Sequence, residues 1–234
     1  MEFNMKFLTF VFALIVSMTS FAMSKPPAPT PVATATPVPA STPMPPAAGF
    51  VPLSWEKGHP ERKAWSDHTF KIIAELLPTF DQAEDAERFC PKYHSLTVDQ
   101  RVNAWGEMFS ATAKFESNWN PATQYTESTM GTDPITGRQV VSEGLLQLSY
   151  QDITWAKFCA FDWAKDKNLP LAQRSITNPL LNLDCGIRIM DRQMKKYKRA
   201  IIRANVYWAV LRDGGRYQKI AEITAMVKKL PFCQ

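Results

Sequence analysis

Apolar side chains recur at spacings of three and four from Val102 through Trp105, Phe109 and Thr112, and Glu116 falls next on the same stripe. That spacing predicts a helix with one buried face. Thr97 and Gln100 form a capping box at its start, and Asn118 and Pro121 break it. Earlier, Phe70, Ile72, Ile73, Leu76 and Leu77 predict a helix capped by Asp67 and ended by Pro78. Residues 81–89 predict a second, short helix near Cys90. Later, 150–161 reads as helical, with Asp152 near its start. Asn178-Pro179 opens another helix, as cap and first position, and Leu183, Ile187, Met190 and Met194 keep one face to about Tyr197. Residues 200–211 predict a helix stopped by Gly214-Gly215, and 217–229 a last one before Pro231.

The period vanishes between 122 and 143, where Thr, Ser, Gly and Asp dominate. Asp133-Pro-Ile-Thr-Gly137 is a turn, and Val140 and Val141 suit a short strand. The expected class is α+β, mainly α, with a small β-hairpin lobe.

The N-terminal part has another character. Lys6, the apolar run 7–18 and Ser20-Phe21-Ala22 read as a signal peptide over 1–22. The run is too short to cross a bilayer comfortably, so no stable membrane span is expected after cleavage. Residues 23–49 hold nine of the eighteen prolines, all within 26–46, and predict an extended, disordered linker. The folded domain is expected over 50–234, in a periplasmic or secreted setting. Cys90, Cys159, Cys185 and Cys233 then suggest two disulfides. Three pairings are open; Cys159 with Cys185 and Cys90 with Cys233 is the expected one, the latter tying the C-terminus back to the early part of the domain. The cysteines lack CxxC spacing and the histidines lie apart at 59, 68 and 94, so neither metal nor cofactor is implied. Net charge is +5, but residues 188–229 carry twelve Lys and Arg against three acids, a local +9. A basic C-terminal half suits an anionic partner, and no nucleic-acid motif accompanies it.

Glu116 is the candidate for chemistry. A carboxyl ending an apolar stripe loses water, which raises its pKa. A carboxylic acid still protonated near neutrality is what a general acid in sugar cleavage needs. Phe115-Glu-Ser-Asn-Trp-Asn-Pro121, followed by Ser142-Glu-Gly-Leu-Leu-Gln-Leu-Ser149, resembles the lysozyme-like soluble lytic transglycosylases and goose-type lysozymes. The resemblance spans roughly 97–220. It implies a lysozyme-like domain with the hairpin lobe beside a cleft, acting on peptidoglycan strands as a monomer. It makes Glu116 the catalytic acid and Ser117 its supporting partner. Gly144, Leu146 and Gln147 become the cleft segment, with Leu146 where the family has Met. Tyr207, in Val-Tyr-Trp-Ala-Val, matches a tyrosine near the acid.

The family splits by what completes the reaction. Transglycosylases use one carboxyl and leave a 1,6-anhydromuramoyl end, whereas goose-type lysozymes recruit a second carboxylate for water. Glu127, Asp133, Glu143 and Asp152 are candidates here, with Glu143 preferred because it precedes Gly144. A cleft-facing Glu143 could also pair with the ammonium of a deacetylated glucosamine, which is similar to the lysozymes of predatory bacteria that select deacetylated peptidoglycan. The alternative to an enzyme is a binding or scaffolding protein on a retired lysozyme-like fold.

Overall fold

The computed structural model describes residues 49–197 and 199–234. The expected signal peptide and nearly all of the proline-rich linker lie outside the described residues. Six α-helices and one two-stranded sheet follow: α1 (Lys63–Phe80), α2 (Ala86–Phe89), α3 (Val98–Ser117), β1 (Gln124–Thr126), β2 (Val141–Glu143), α4 (Trp163–Asp166), α5 (Pro179–Lys196) and α6 (Ile220–Val227). Short 3-10 turns link them. The described part is mainly α with a minor β element, as the sequence predicts. None of the described helices is long and apolar enough to cross a membrane.

α3 is the axis of the core. Thr97 Oγ1 accepts from the Gln100 N–H and the Gln100 side chain accepts from the Thr97 N–H, closing the predicted capping box. α3 packs against α1 on one side and α6 on another, and α1 also packs along α5. A Cβ on Gly106 would meet the Phe70 ring at 2.7 Å, so glycine sets how closely α1 approaches α3. Phe80 stacks on Trp105 with ring centroids 4.4 Å apart, and Trp208 meets Phe109 edge-on at 6.4 Å.

The predicted single stripe understates α3. From Val102 to Ala113 every residue is buried, including Asn103, Glu107, Ser110 and Thr112. The segment 50–56 covers that polar side and satisfies it. Asn103 accepts from the Val51 N–H at 2.6 Å and donates to the Val51 carbonyl at 3.1 Å. Glu107 accepts from the Ser54 N–H at 2.9 Å and from the Ser54 hydroxyl.

Desolvation pushes the Glu107 carboxyl up to about 7, against the two Ser54 hydrogen bonds and the Lys229 charge, which lower it. An acid whose pKa is raised by folding binds more protons folded than unfolded between the two values. Its contribution is therefore full below about pH 4.5 and is lost as pH climbs through about 7. The difference amounts to about 3 kcal/mol. Glu107→Gln should flatten that decline, and denaturant unfolding of variant and parent at pH 5 and pH 8 would measure it. A parent whose stability rises from pH 5 to pH 8 by the same amount as the variant's contradicts this account of Glu107.

Several expected boundaries move. α1 begins at Lys63 rather than after Asp67 and runs two residues beyond Pro78, because a proline in the last turn removes only one internal hydrogen bond. Residues 81–89 give only the four-residue α2. In 150–161 only a 3-10 turn, Tyr150–Thr154, forms. Residues 200–211 are not a helix beyond the 3-10 turn Ala209–Leu211; the Asp85 carboxylate captures the amides of Ile201 and Ile202 instead. α6 is shorter than 217–229. Asn178 caps α5 as predicted, accepting from the amides of Leu180 and Leu181. Both expected disulfides are present, Cys90–Cys233 and Cys159–Cys185. They fit an oxidising, extracytoplasmic setting and take all four thiols out of metal ligation.

Candidate active site

Glu116 stands in the last turn of α3, just before Asn118 takes the left-handed conformation that ends the helix. Its Oε1 is buried without a hydrogen-bond partner. Desolvation pushes the carboxyl up to about 7. The Val210 amide and the Arg212 guanidinium pull it down, and the charge of Glu127 pushes it up again. Three segments thus converge on one carboxyl: the end of α3, the hairpin, and the irregular stretch between α5 and α6.

The hairpin register decides which acid faces Glu116. β1 and β2 pair antiparallel, Gln124 opposite Glu143, Tyr125 opposite Ser142 and Thr126 opposite Val141. Side chains alternate between faces, so Glu127 shares a face with Tyr125 and Ser142, and Glu143 lies on the other. The Ser142 hydroxyl donates to Glu127 Oε1 at 2.7 Å and fixes it. Glu143 is only 3 % exposed and ion-pairs with Arg174 at 3.5 Å. Burial raises its pKa while Arg174 lowers it. The preference for Glu143 as the cleft-facing carboxylate is therefore corrected: a one-residue parity in the pleat turns it inward. A cavity of about 310 Å³ opens on the Arg174 side, lined among others by Pro121, Ala122, Gln173 and Asn178 but not by Glu116.

The remaining acids are structural anchors. Asp133 is buried and accepts from the amides of Ile135, Thr136 and Gln151. Asp152 is buried, accepts from the Ser149 amide at 2.8 Å and takes the Tyr207 hydroxyl at 2.6 Å. Desolvation raises the Asp152 pKa, and its hydrogen bonds from Tyr207 and Ser149 oppose that. Burial, with Asp152 next, raises the Tyr207 phenol well above its ordinary value, and Glu116 and Glu127 add to the shift. Tyr207 is thereby a neutral hydroxyl, aimed by Asp152, within reach of both carboxyl charges.

The segment 144–149 supports the site more than it lines it. Gly144 has φ +83, and a Cβ there would meet Asn182 Nδ2 at 2.3 Å and the Ile176 carbonyl at 2.8 Å. Asn182, fully buried, accepts from the Leu146 N–H at 2.8 Å and donates to the carbonyls of Glu143 and Ile176. Leu146 is fully buried against Gly186 and its carbonyl takes the Trp208 indole N–H at 2.9 Å. It is core, not cleft, which corrects its expected place. Ser117 is buried too, donating to the Ala113 carbonyl at 3.0 Å. Gln147 is half-buried, and its amide clamps the carbonyls of Thr123 and Gly144. Of the predicted site residues, Glu116 and Tyr207 lie within electrostatic reach of each other and of Glu127. Two residues the sequence did not single out matter as well: Arg212, whose charge acts on Glu116, and Asn182, which holds the 143–146 turn; neither carries a local motif.

Neither protein-family models nor curated protein sequences match the chain. Solved structures do. The wild-type structure of Bd0314 DslA is 33% identical with a TM-score of 0.64, covering 79% of this chain and 98% of that one. The chain belongs to the DslA family. Two DslA variants match as well, each with one glutamate replaced by glutamine, at positions eleven apart in that protein. They are 32% identical to this chain, cover 78% of it and 97% of their own length, and have TM-scores of 0.64 and 0.63. This member of the DslA family thus shares its fold over nearly the whole DslA chain.

Proposed function

We propose that this protein cleaves the glycan strand of peptidoglycan at the MurNAc-GlcNAc β-1,4 bond, outside the cytoplasm and as a monomer. The observation that carries the reading is Glu116, a desolvated carboxyl with an unpartnered buried oxygen and a pKa of about 7. Such an acid holds a proton near neutrality and can deliver it to a glycosidic leaving oxygen. Glu127 is the second carboxylate, held by Ser142 and close enough to Glu116 to raise its pKa. Glu116 and Glu127 are eleven residues apart, the interval between the two glutamates replaced in the DslA variants. That agreement supports the pairing of roles.

Glu116 is the general acid, protonating the leaving sugar oxygen. Glu127 takes the proton from water attacking the sugar and steadies the sugar's positive charge. Tyr207, its hydroxyl donated to Asp152, lies within electrostatic reach of both. A second carboxylate is what hydrolysis requires and what the transglycosylase route does without, so the reading favours a lysozyme. Lys and Arg on the C-terminal half suit the anionic wall.

Digestion of purified cell walls, acetylated and deacetylated, followed by mass spectrometry of the products would test this. Reducing ends are expected. Anhydro ends would replace the hydrolase by a transglycosylase. No products from either wall would leave a wall-binding protein instead. Faster release from the deacetylated wall would identify a preference for the glucosamine ammonium.

A further inference from the structure

Glu127, the residue that follows β1, does not stand alone. Tyr125 lies two residues earlier in β1, on the same face, and Ser142 opposite it is the residue that holds the Glu127 carboxylate. Tyr125 is 61% exposed. Among the described residues its ring meets no aromatic or cationic partner. The other strongly exposed tyrosine, Tyr217, differs in this respect, because the Arg216 guanidinium sits 5.5 Å from its ring centroid. An open aromatic face on the wall that carries Glu127 has a definite chemical complement. The flat side of a β-linked pyranose presents C–H groups, whose positive edge suits the negative face of an aromatic ring. The phenol hydroxyl at the rim adds a polar contact for sugar oxygens.

We infer that Tyr125 is a sugar platform that positions one pyranose ring of the glycan strand next to Glu127. The inference rests on the glycan-cleaving reading of the site and extends it to a residue that takes no part in bond breaking. The pairing of Tyr125 with Ser142 fixes its backbone, so stacking requires little ordering beyond the ring itself. A platform of this kind holds ground state and transition state alike. Its loss therefore acts on KM and leaves kcat nearly unchanged.

Kinetics on soluble glycan strands would compare the parent with Tyr125→Ala and Tyr125→Trp. The alanine variant should raise KM about tenfold, the scale of losing one ring-on-ring stack, with kcat within about twofold. The tryptophan variant should restore KM. Calorimetric titration of a glycan tetrasaccharide into Glu116→Gln, with and without Tyr125→Ala, should give the same loss of affinity without turnover. Circular dichroism checks that the exposed substitution leaves the fold unchanged. A KM and affinity within about twofold of the parent in the alanine variant overturn the platform while cleavage by the parent still stands. A fall in kcat at constant KM also overturns it. A parent that neither cleaves nor binds any glycan removes the reading on which the platform rests.

Discussion

On the proposed function, Glu116→Gln should reduce glycan cleavage by at least about 10³-fold in kcat, the scale of a lost general acid, or roughly 4 kcal/mol of barrier. Glutamine keeps the shape but has no proton to give. The substitution also removes a carboxyl whose ionisation is disfavoured by burial. The folded acid binds protons more tightly than the unfolded one, so its contribution to stability falls as pH rises through about 7. The variant should therefore remain folded and lose less stability between pH 5 and pH 8 than the parent. Activity follows the same titration. The protonated form works, so kcat/KM declines above about pH 7 along an alkaline limb set by Glu116. Two neighbours move that limb in opposite directions. Arg212 lowers the Glu116 pKa and Glu127 raises it, so Arg212→Ala shifts the limb upward and Glu127→Gln shifts it downward in whatever activity remains. A Glu116→Gln rate within tenfold of the parent, or a limb indifferent to both neighbours, would remove Glu116 from the acid role.

The parts of this arrangement that were legible in the chain are those written locally. Thr97 with Gln100 and Asn178 with Pro179 specify helix starts by contacts made within three residues, and both starts form. The apolar stripe that ends on Glu116, together with the family resemblance of the residues around it, pointed to its desolvation. What escaped the sequence depends on partners brought in from afar. Choosing between Glu127 and Glu143 required the hairpin register, since the pleat sends the two to opposite faces and Arg174 then claims Glu143. Arg212 reaches Glu116 from nearly a hundred residues later. The stretch 200–211 has apolar residues enough for a helix, but Asp85, Asp152 and the Leu146 carbonyl bind its amides, its tyrosine and its tryptophan one by one. Tertiary partners outweigh a propensity of a few tenths of a kcal/mol per residue. Buried Glu107 and Asn182 were invisible for the same reason: each is a polar residue whose satisfaction comes from a segment distant in sequence.

Removal of the Cys90–Cys233 disulfide lowers stability by about 5 kcal/mol, from the chain entropy released by opening a long loop. The bridge spans 143 residues and joins the end of α2 to the last 3-10 turn, Pro231–Cys233. Between them lies everything that builds the site: α3 with Glu116, the hairpin with Glu127, and the stretch with Tyr207 and Arg212. The Cys159–Cys185 bridge spans 26 residues, so the same reasoning gives about 3–4 kcal/mol. Domains of this size hold roughly 5–15 kcal/mol in all; the long bridge thus accounts for a third or more. At about 2–4 °C per kcal/mol, Cys90→Ala with Cys233→Ala should lower Tm by about 10–20 °C. The loss also has a route to the chemistry. α6 packs against α3, and Lys219, just before α6, donates its N–H to the Val210 carbonyl at 2.7 Å, in the turn whose amide faces Glu116. Loosening the C-terminus frees that turn. Activity of the double variant should therefore fall at temperatures below its own Tm, where the Cys159–Cys185 variant still works. Calorimetry and rate measurements over the same temperature range would compare the two. A larger Tm loss on removing the shorter bridge would mean that local packing around Cys159 and Cys185, rather than loop length, governs the stability of this fold.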